Sequence, residues 1–429
     1  MVISLKSEKR REFLGCLAVF LFILCSPETI LVGTNSSALP AMISRYSPFL
    51  ACGAMIVFYA LQRKITLPRN CVIVLCISVI CFWITAVFSG GQANLMNILY
   101  HCAAVLSGVM IVGVLPIKDF VRYFEKVMFF LAIYSLICFG IANVSTEIVR
   151  KFPVMTNIAD VEFYCMGLTV FTKYSMIDSF FLRNYGVFRE PGVYQMFLNF
   201  ALCCYLFCKT TSEKLNVFHI AVYLVTILTT TSTTGIFSVI VLMLAFVAEC
   251  NTENKKIKRW VLVGGVLVVA VVLSGWSDKL LYADNKLSDK NTDSMISRMG
   301  SITVNIQMFL ERPLIGFGQS NVDNIFAQYL NTRTSAVHNT NTILFMFACY
   351  GALFGCLFLY GNSKLMCRMS RDPVARMLLC VFYILMLSGE NLTNSYYIYT
   401  LLMYGYLSGS VIGEENEHEN CYDQCLEHR

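Results

Sequence analysis

Read alone, the chain is an all-α protein, a polytopic integral membrane bundle of about twelve transmembrane helices with two long extracytoplasmic loops. Three observations carry this. Of its 429 residues 57% are hydrophobic and 14% charged, where an ordinary soluble domain is about 45–50% apolar and about 25% charged. The apolar residues are gathered into runs near the length that spans a hydrocarbon core, about 20 helical residues for about 30 Å. The basic residues fall unevenly between alternate connections, as they do when one side of a membrane collects Lys and Arg.

Taken in order, the first run is Phe13 to Ile30, behind Lys6, Lys9, Arg10 and Arg11. It is too long for the apolar region of a secretory signal and has no small-x-small pattern close behind, so it reads as a retained span. Tyr46 to Leu61, Cys71 to Phe88, Ile98 to Leu115 and Val127 to Ala142 follow. The sixth run, Pro191 to Cys208, opens on a proline, which the first turn of a helix tolerates. Val217 to Thr230 and Gly235 to Ala248 flank TTTSTTG, expected to be a tight turn between helices with polar packing. Trp260 to Trp276, Asn341 to Tyr360, Val374 to Leu387 and Tyr396 to Ile412 complete the set. The runs at Gly235 and Val374 are short and need flanking residues or neighbours. Residues 1–412 read as the membrane domain and 413–429 as an acidic cytoplasmic tail without fixed structure. Its His418, Cys421, Cys425 and His428 match no established zinc spacing, and no metal site is expected. Nearly all of the nineteen cysteines sit inside apolar runs, where cysteine behaves as a small hydrophobe; no disulfide framework is expected.

With the N-terminus inside, the inner segments carry 21 of the 33 basic residues. Of the outer twelve, all but Arg45 lie in two loops, Asn143 to Glu190 and Ser277 to Val337. Loops of that length mark function or disorder. Acids match bases in both, so an anion bound there must be held by placed side chains rather than by a broad positive field. Val161 to Ile177 is apolar enough to be a thirteenth span, but it would put the KKIKR run at Lys255 outside, so it reads as interfacial or re-entrant.

The chemistry-bearing stretch is RNYGVFREPGVYQ, Arg183 to Gln195. Pro191 starts a helix, and Glu190 stands where the helix dipole favours a carboxylate. Arg183 and Arg189 either snorkel and pair with it or hold a ligand. Arg298 opens a helical pattern in the second loop that ERPLIGFG breaks at Pro313, Gly316 and Gly318, a turn with only a weak phosphate-binding signature. His338 and Asn339 stand at the outer mouth of the tenth run. Glu390 ends the eleventh on the outer side, as a solvated carboxylate or a functional one.

In this order the pieces resemble the O-antigen ligase and polymerase superfamily of bacterial envelope glycan assembly: RNYGVFREPG, TSTTGIFSV, the loop with Arg298 and RPLIGFG, then His338 and Asn339. The resemblance implies glycosyl transfer from a polyprenyl-pyrophosphate-linked oligosaccharide donor to an oligosaccharide acceptor. It implies an active site outside the bacterial inner membrane, with both termini cytoplasmic. Arg183, with Gly186 and Phe188 in its Arg-x-x-Gly-x-Phe context, and Arg298 are implied to hold the pyrophosphate, with Arg189 beside them. His338 is the implied base and Glu190 its rival; Gly186, Pro191, Asn339, Gly316, Gly318 and Glu390 are supporting residues. No cofactor, metal or nucleic acid is expected, and the expected partners are the lipid-linked sugars, membrane lipids, and chain-length regulator and flippase proteins. Gly192 stands where ligases tend to have asparagine, and Arg189 to Pro191 is more like the polymerases. A transporter or lipid-linked glycan flippase is the reading from another class.

Overall fold

The computed structural model describes residues 2–31, 53, 67–88, 95–156, 161–173, 182–208, 215–249, 293–330 and 339–407. Within them the chain forms helices α1 (Val2–Leu24), α2 (Arg69–Phe88), α3 (Leu95–Val114), α4 (Ile117–Val144) and the single turn α5 (Thr146–Val149). Strands β1 (Val154–Thr156), β2 (Glu162–Cys165) and β3 (Val170–Thr172) come next. Helices α6 (Pro191–Phe207), α7 (Val217–Thr229), α8 (Thr233–Glu249), α9 (Asp293–Glu311), α10 (Gln319–Leu330), α11 (Thr342–Cys367), α12 (Pro373–Leu387) and α13 (Tyr396–Tyr406) follow. Helices dominate because each satisfies its backbone N–H and C=O groups internally, which hydrocarbon cannot do for it. Four of the described helices, α2, α3, α4 and α11, are long and apolar enough to cross a bilayer; α6, α7, α8 and α12 are apolar but shorter. Ten of the twelve expected runs coincide with a described helix. The runs Tyr46 to Leu61 and Trp260 to Trp276, and the tail after residue 407, lie outside the described residues, so the protein is helical and multi-pass without the count of twelve being established.

The described helices run between two ends of one bundle. At one end Arg11 pairs with Asp119, Lys126 with Glu12, and Asn70 Nδ2 donates to the Tyr406 carbonyl. At the other, Tyr100 Oη donates to Asn394 O, Asn184 N to Thr229 O, and Thr342 Oγ1 to Glu390 O. Helices α3, α6, α8, α11 and α13 therefore all begin at the second end. Helix α6 lies at the centre, with all 17 residues buried; a helix apolar all round has nowhere else to go. Phe197 of α6 packs on Tyr397 of α13 at 4.5 Å between ring centroids, and Tyr397 on Phe124 of α4 at 5.6 Å.

The first long loop contains the one sheet among the described residues. Strands β1, β2 and β3 form an antiparallel sheet in that order, with Met155 opposite Phe163 and Tyr164 opposite Phe171. The expected interfacial or re-entrant segment at Val161 is thus a hairpin as far as Lys173, and residues 174–177 lie outside the described residues. Aromatic and β-branched residues on both sides of a turn at Gly167, φ 65°, favour strands over a helix. Tyr134 Oη of α4 donates to Met166 O, and Val170 N to Gly186 O, so the hairpin rests on the bundle end and on the Arg183 stretch.

Helix α11 is broken at Gly351, φ 74° and ψ −173°. The carbonyls freed above the break, on Ala348 and Cys349, accept from Phe317 N and Gly318 N, while Ala352 N donates to Pro313 O. The turn after α9 is thereby spliced into the helix, which is how irregular backbone is tolerated at depth. Gly351→Ala must place a Cβ against the Leu314 carbonyl in left-handed backbone and should cost about 1–3 kcal/mol. We expect the purified variant to melt several degrees below wild type, while Gly140→Ala, with nothing within 4 Å of the new methyl, should not; equal melting of the two would mean the break is not fixed by these contacts.

Candidate functional site

The stretch from Arg183 to Glu190 is built by local chemistry. Asn184 Oδ1 accepts from Gly186 N at 3.0 Å, closing a tight turn. Gly186 has φ 52°, and a Cβ there would meet the Tyr194 ring at 2.7 Å, so both conformation and space call for glycine. Phe188 then packs on Phe197 at 4.5 Å between centroids. The exit from the first helix lies alongside: α1 stops at Leu24, short of the expected Ile30, and Ile30 N donates to Val187 O and Arg189 N to Glu28 O. Glu190 is the N-cap residue of α6 with Pro191 in the first turn, yet its side chain does not bond to the helix it caps.

Two arginines from the two long loops are anchored to one turn. Arg183 Nε donates to Thr230 O at 3.2 Å and Arg298 Nη1 to Thr233 Oγ1 at 3.1 Å. Those anchors are three positions apart in the chain, so their Cα atoms lie within about 11 Å of each other. The turn is tight, with Thr231 at φ 51°, and leads into the N-terminus of α8.

Opposite this turn stands the α12–α13 connection. Thr342 Oγ1 at the head of α11 donates to Glu390 O at 2.6 Å and accepts from Leu392 N at 2.9 Å, while Gly389 presses on Thr234. The Glu390 carboxylate reaches the first turn of α6, where a Cβ added to Gly192 would overlap Oε1. There burial and the nearby Glu190 charge hold it well above the usual carboxylate range against the pull of Arg189 and Arg298. Glu28, unremarked in the sequence because it ends an apolar run, is buried at 3% exposure. The Ser26 hydroxyl donates to its carboxylate, and burial pushes it up to about 7 despite the nearby Arg189. Arg189 Nε is buried and has no hydrogen-bond partner among the described residues.

Asn339 is fixed to the helix that carries Arg298. Asn305 Nδ2 donates to Asn339 Oδ1 at 3.0 Å, Asn339 Nδ2 returns a bond to Asn305 Oδ1 at 2.7 Å, and Thr340 N donates to Ser301 Oγ at 2.8 Å. His338 lies outside the described residues. Gly316 and Gly318 are not in this cluster: thirteen residues of α9 separate Arg298 from Glu311, about 20 Å of helix, and their N–H groups are taken by the Arg312 and Cys349 carbonyls. Arg183, Arg189, Glu190, Arg298, Glu390 and Glu28 thus meet at the end of the bundle where α6, α8, α11 and α13 start. Guanidinium forks and helix N-termini together make an anion site.

Residues 218–359 match the family model described as O-antigen ligase. The match runs from α7 through Arg298 and Asn339 into α11, and it supports the resemblance to the O-antigen ligase and polymerase superfamily. No curated protein matches the chain.

Because the folded chain raises the Glu28 carboxyl from 4.5 to about 7, it binds this proton more tightly than the unfolded chain does. The contribution of Glu28 is greatest below pH 4.5 and is lost as pH rises to about 7. Glu28→Gln, always neutral, should melt close to wild type at pH 5 and several degrees above it at pH 8; a difference that does not grow over this range would refute the desolvation of Glu28.

Proposed function

We propose that this protein is a polymerase that joins polyprenyl-pyrophosphate-linked oligosaccharide repeat units into surface polysaccharide, O-antigen or capsule, at the extracytoplasmic face of the inner membrane. The observation that carries the reading is the anchoring of Arg183 and Arg298, from two loops far apart in sequence, to the same turn. Beside them is a guanidinium, Arg189, whose buried Nε has no partner among the described residues. A diphosphate supplies acceptor oxygens for all three.

As the glycosidic carbon leaves the donor, negative charge collects on the diphosphate. A guanidinium is always protonated, and each charge-assisted bond contributes about 1.5–3 kcal/mol, more of it to rate where the charge appears only in the transition state. The arginines thus take the role a divalent metal has in many transferases. The acceptor hydroxyl must lose its proton as its oxygen bonds to the anomeric carbon, and His338 is the base assigned by the resemblance. Asn339, locked to Ser301 and Asn305 through its neighbours and its own amide, fixes where the chain bearing that imidazole meets the helix of Arg298.

A ligase that transfers finished glycan to a lipid or protein acceptor is the second reading, favoured by the description of the matching family. Against it stands Gly192. A side chain here would collide with Glu390, so the asparagine that ligases tend to carry does not fit this site as built.

Loss of a polymerase leaves single repeat units on the surface, whereas loss of a ligase strands long chains on the carrier lipid; electrophoresis of glycan from a deletion strain separates the two. His338→Ala should lower the rate about 10²–10⁴-fold, and an unchanged glycan ladder at normal expression would reject the base. Arg183→Lys keeps the charge and loses the fork, for an expected drop of roughly 10- to 100-fold; full activity would reject bidentate binding of the diphosphate.

A further inference from the structure

The carboxyl groups of this cluster pose a problem that the arginines alone do not solve. Arg183, Arg189 and Arg298 face Glu28, Glu190 and Glu390, so with every group ionised the cluster has no excess positive charge. An incoming diphosphate would then meet carboxylates at close range. Glu390 is not a bystander at the rim: its Oε1 sits against Gly192 in the first turn of α6, the helix whose N-cap residue is Glu190, and its backbone is clamped by Thr342. Two carboxyl groups crowded at one helix end do not both ionise readily, and the pair favours holding a proton. The groups facing Glu390 are Glu190 from the head of α6, Arg189 from the strand-like segment before it and Arg298 from α9. Glu28 lies behind Arg189 and Arg183 at the α7–α8 turn.

We propose that the Glu190–Glu390 pair is the proton-binding half of the anion site, so that the arginines take up a polyprenyl diphosphate together with a proton held between the two carboxyl groups. The inference rests on the diphosphate reading given above and adds a second ligand to it. With the proton in place the pair bears one negative charge and the arginines are left with a surplus to give the ligand. Once the proton is lost, two carboxylates compete with the diphosphate for Arg189 and Arg298. Removing one carboxylate should therefore strengthen binding at alkaline pH, a gain that a misfolded protein cannot show.

The test uses the full-length purified protein and farnesyl diphosphate as probe, with dissociation constants measured from pH 6 to pH 9 for wild type, Glu390→Gln and Glu190→Gln. Wild type and Glu390→Gln should bind alike at pH 6, and at pH 9 the variant should bind at least tenfold more tightly. Glu190→Gln should shift the same way and stands in should Glu390→Gln fail to fold. Ionisation of the probe is common to all three proteins and cancels in the ratio. A ratio of wild type to variant that does not change with pH, or weaker binding by the folded variants, would overturn the proposal. If the probe binds, and Arg183→Ala and Arg298→Ala abolish binding while the ratio stays flat, only the proton coupling fails. If no protein binds the probe at any pH, the diphosphate reading falls with it.

Discussion

Charges withdrawn from water must be met by opposite charge, by hydrogen bonds or by a change of protonation state, and this governs the end of the bundle where α6 begins. Arg189 has Glu28 and Glu390 as electrostatic neighbours, Arg298 has Glu390, and Glu190 and Glu390 crowd together at the head of α6. None of these groups is a neighbour in the sequence of more than one other. The cluster exists because the backbone around it is fixed first, by bonds such as Arg189 N to Glu28 O and Thr342 Oγ1 to Glu390 O.

Those bonds draw on helix ends. The first span stops early and its exit pairs with residues 187–189; the α7–α8 turn offers one carbonyl and one hydroxyl to the two loop arginines. The α12–α13 connection is tied to the head of α11. Helix α6, buried along its whole length, gives the construction a rigid floor. Glycine marks the two closest approaches at that floor, Gly186 under the Tyr194 ring and Gly192 under the Glu390 carboxylate. The same economy operates on the other side of α11, where Gly351 breaks the helix so that the Pro313 to Gly318 turn can be bonded into it.

On the diphosphate reading, the arrangement also joins binding to protonation. In a site made of arginines alone, affinity for a diphosphate would vary little with pH, since guanidinium does not titrate in the accessible range. Interleaved carboxyl groups whose proton affinities burial has raised change that: the ligand and the proton favour each other, as any two ligands do when each relieves the charge that opposes the other.

Composition and the spacing of apolar runs were enough to read a helical multi-pass protein, because hydrocarbon permits few alternatives to a helix. Arg183, Arg189, Glu190 and Arg298 were legible as candidate site residues because charge in loops of so apolar a chain is conspicuous, and the family match supports the superfamily over residues 218–359. The sheet at Val154 was not legible, since a short apolar stretch with a charge at each end fits an interfacial segment as well as a hairpin. Glu28 was hidden inside an apolar run, and nothing local distinguishes a solvated Glu390 from one packed against the head of α6. What the sequence determined by itself is what depends on solvent, namely which stretches leave water and which charges stay near it. What only tertiary structure decided is which of those charges meet, because contacts between residues 28, 189, 298 and 390 depend on how helix ends separated by hundreds of residues are brought to one place.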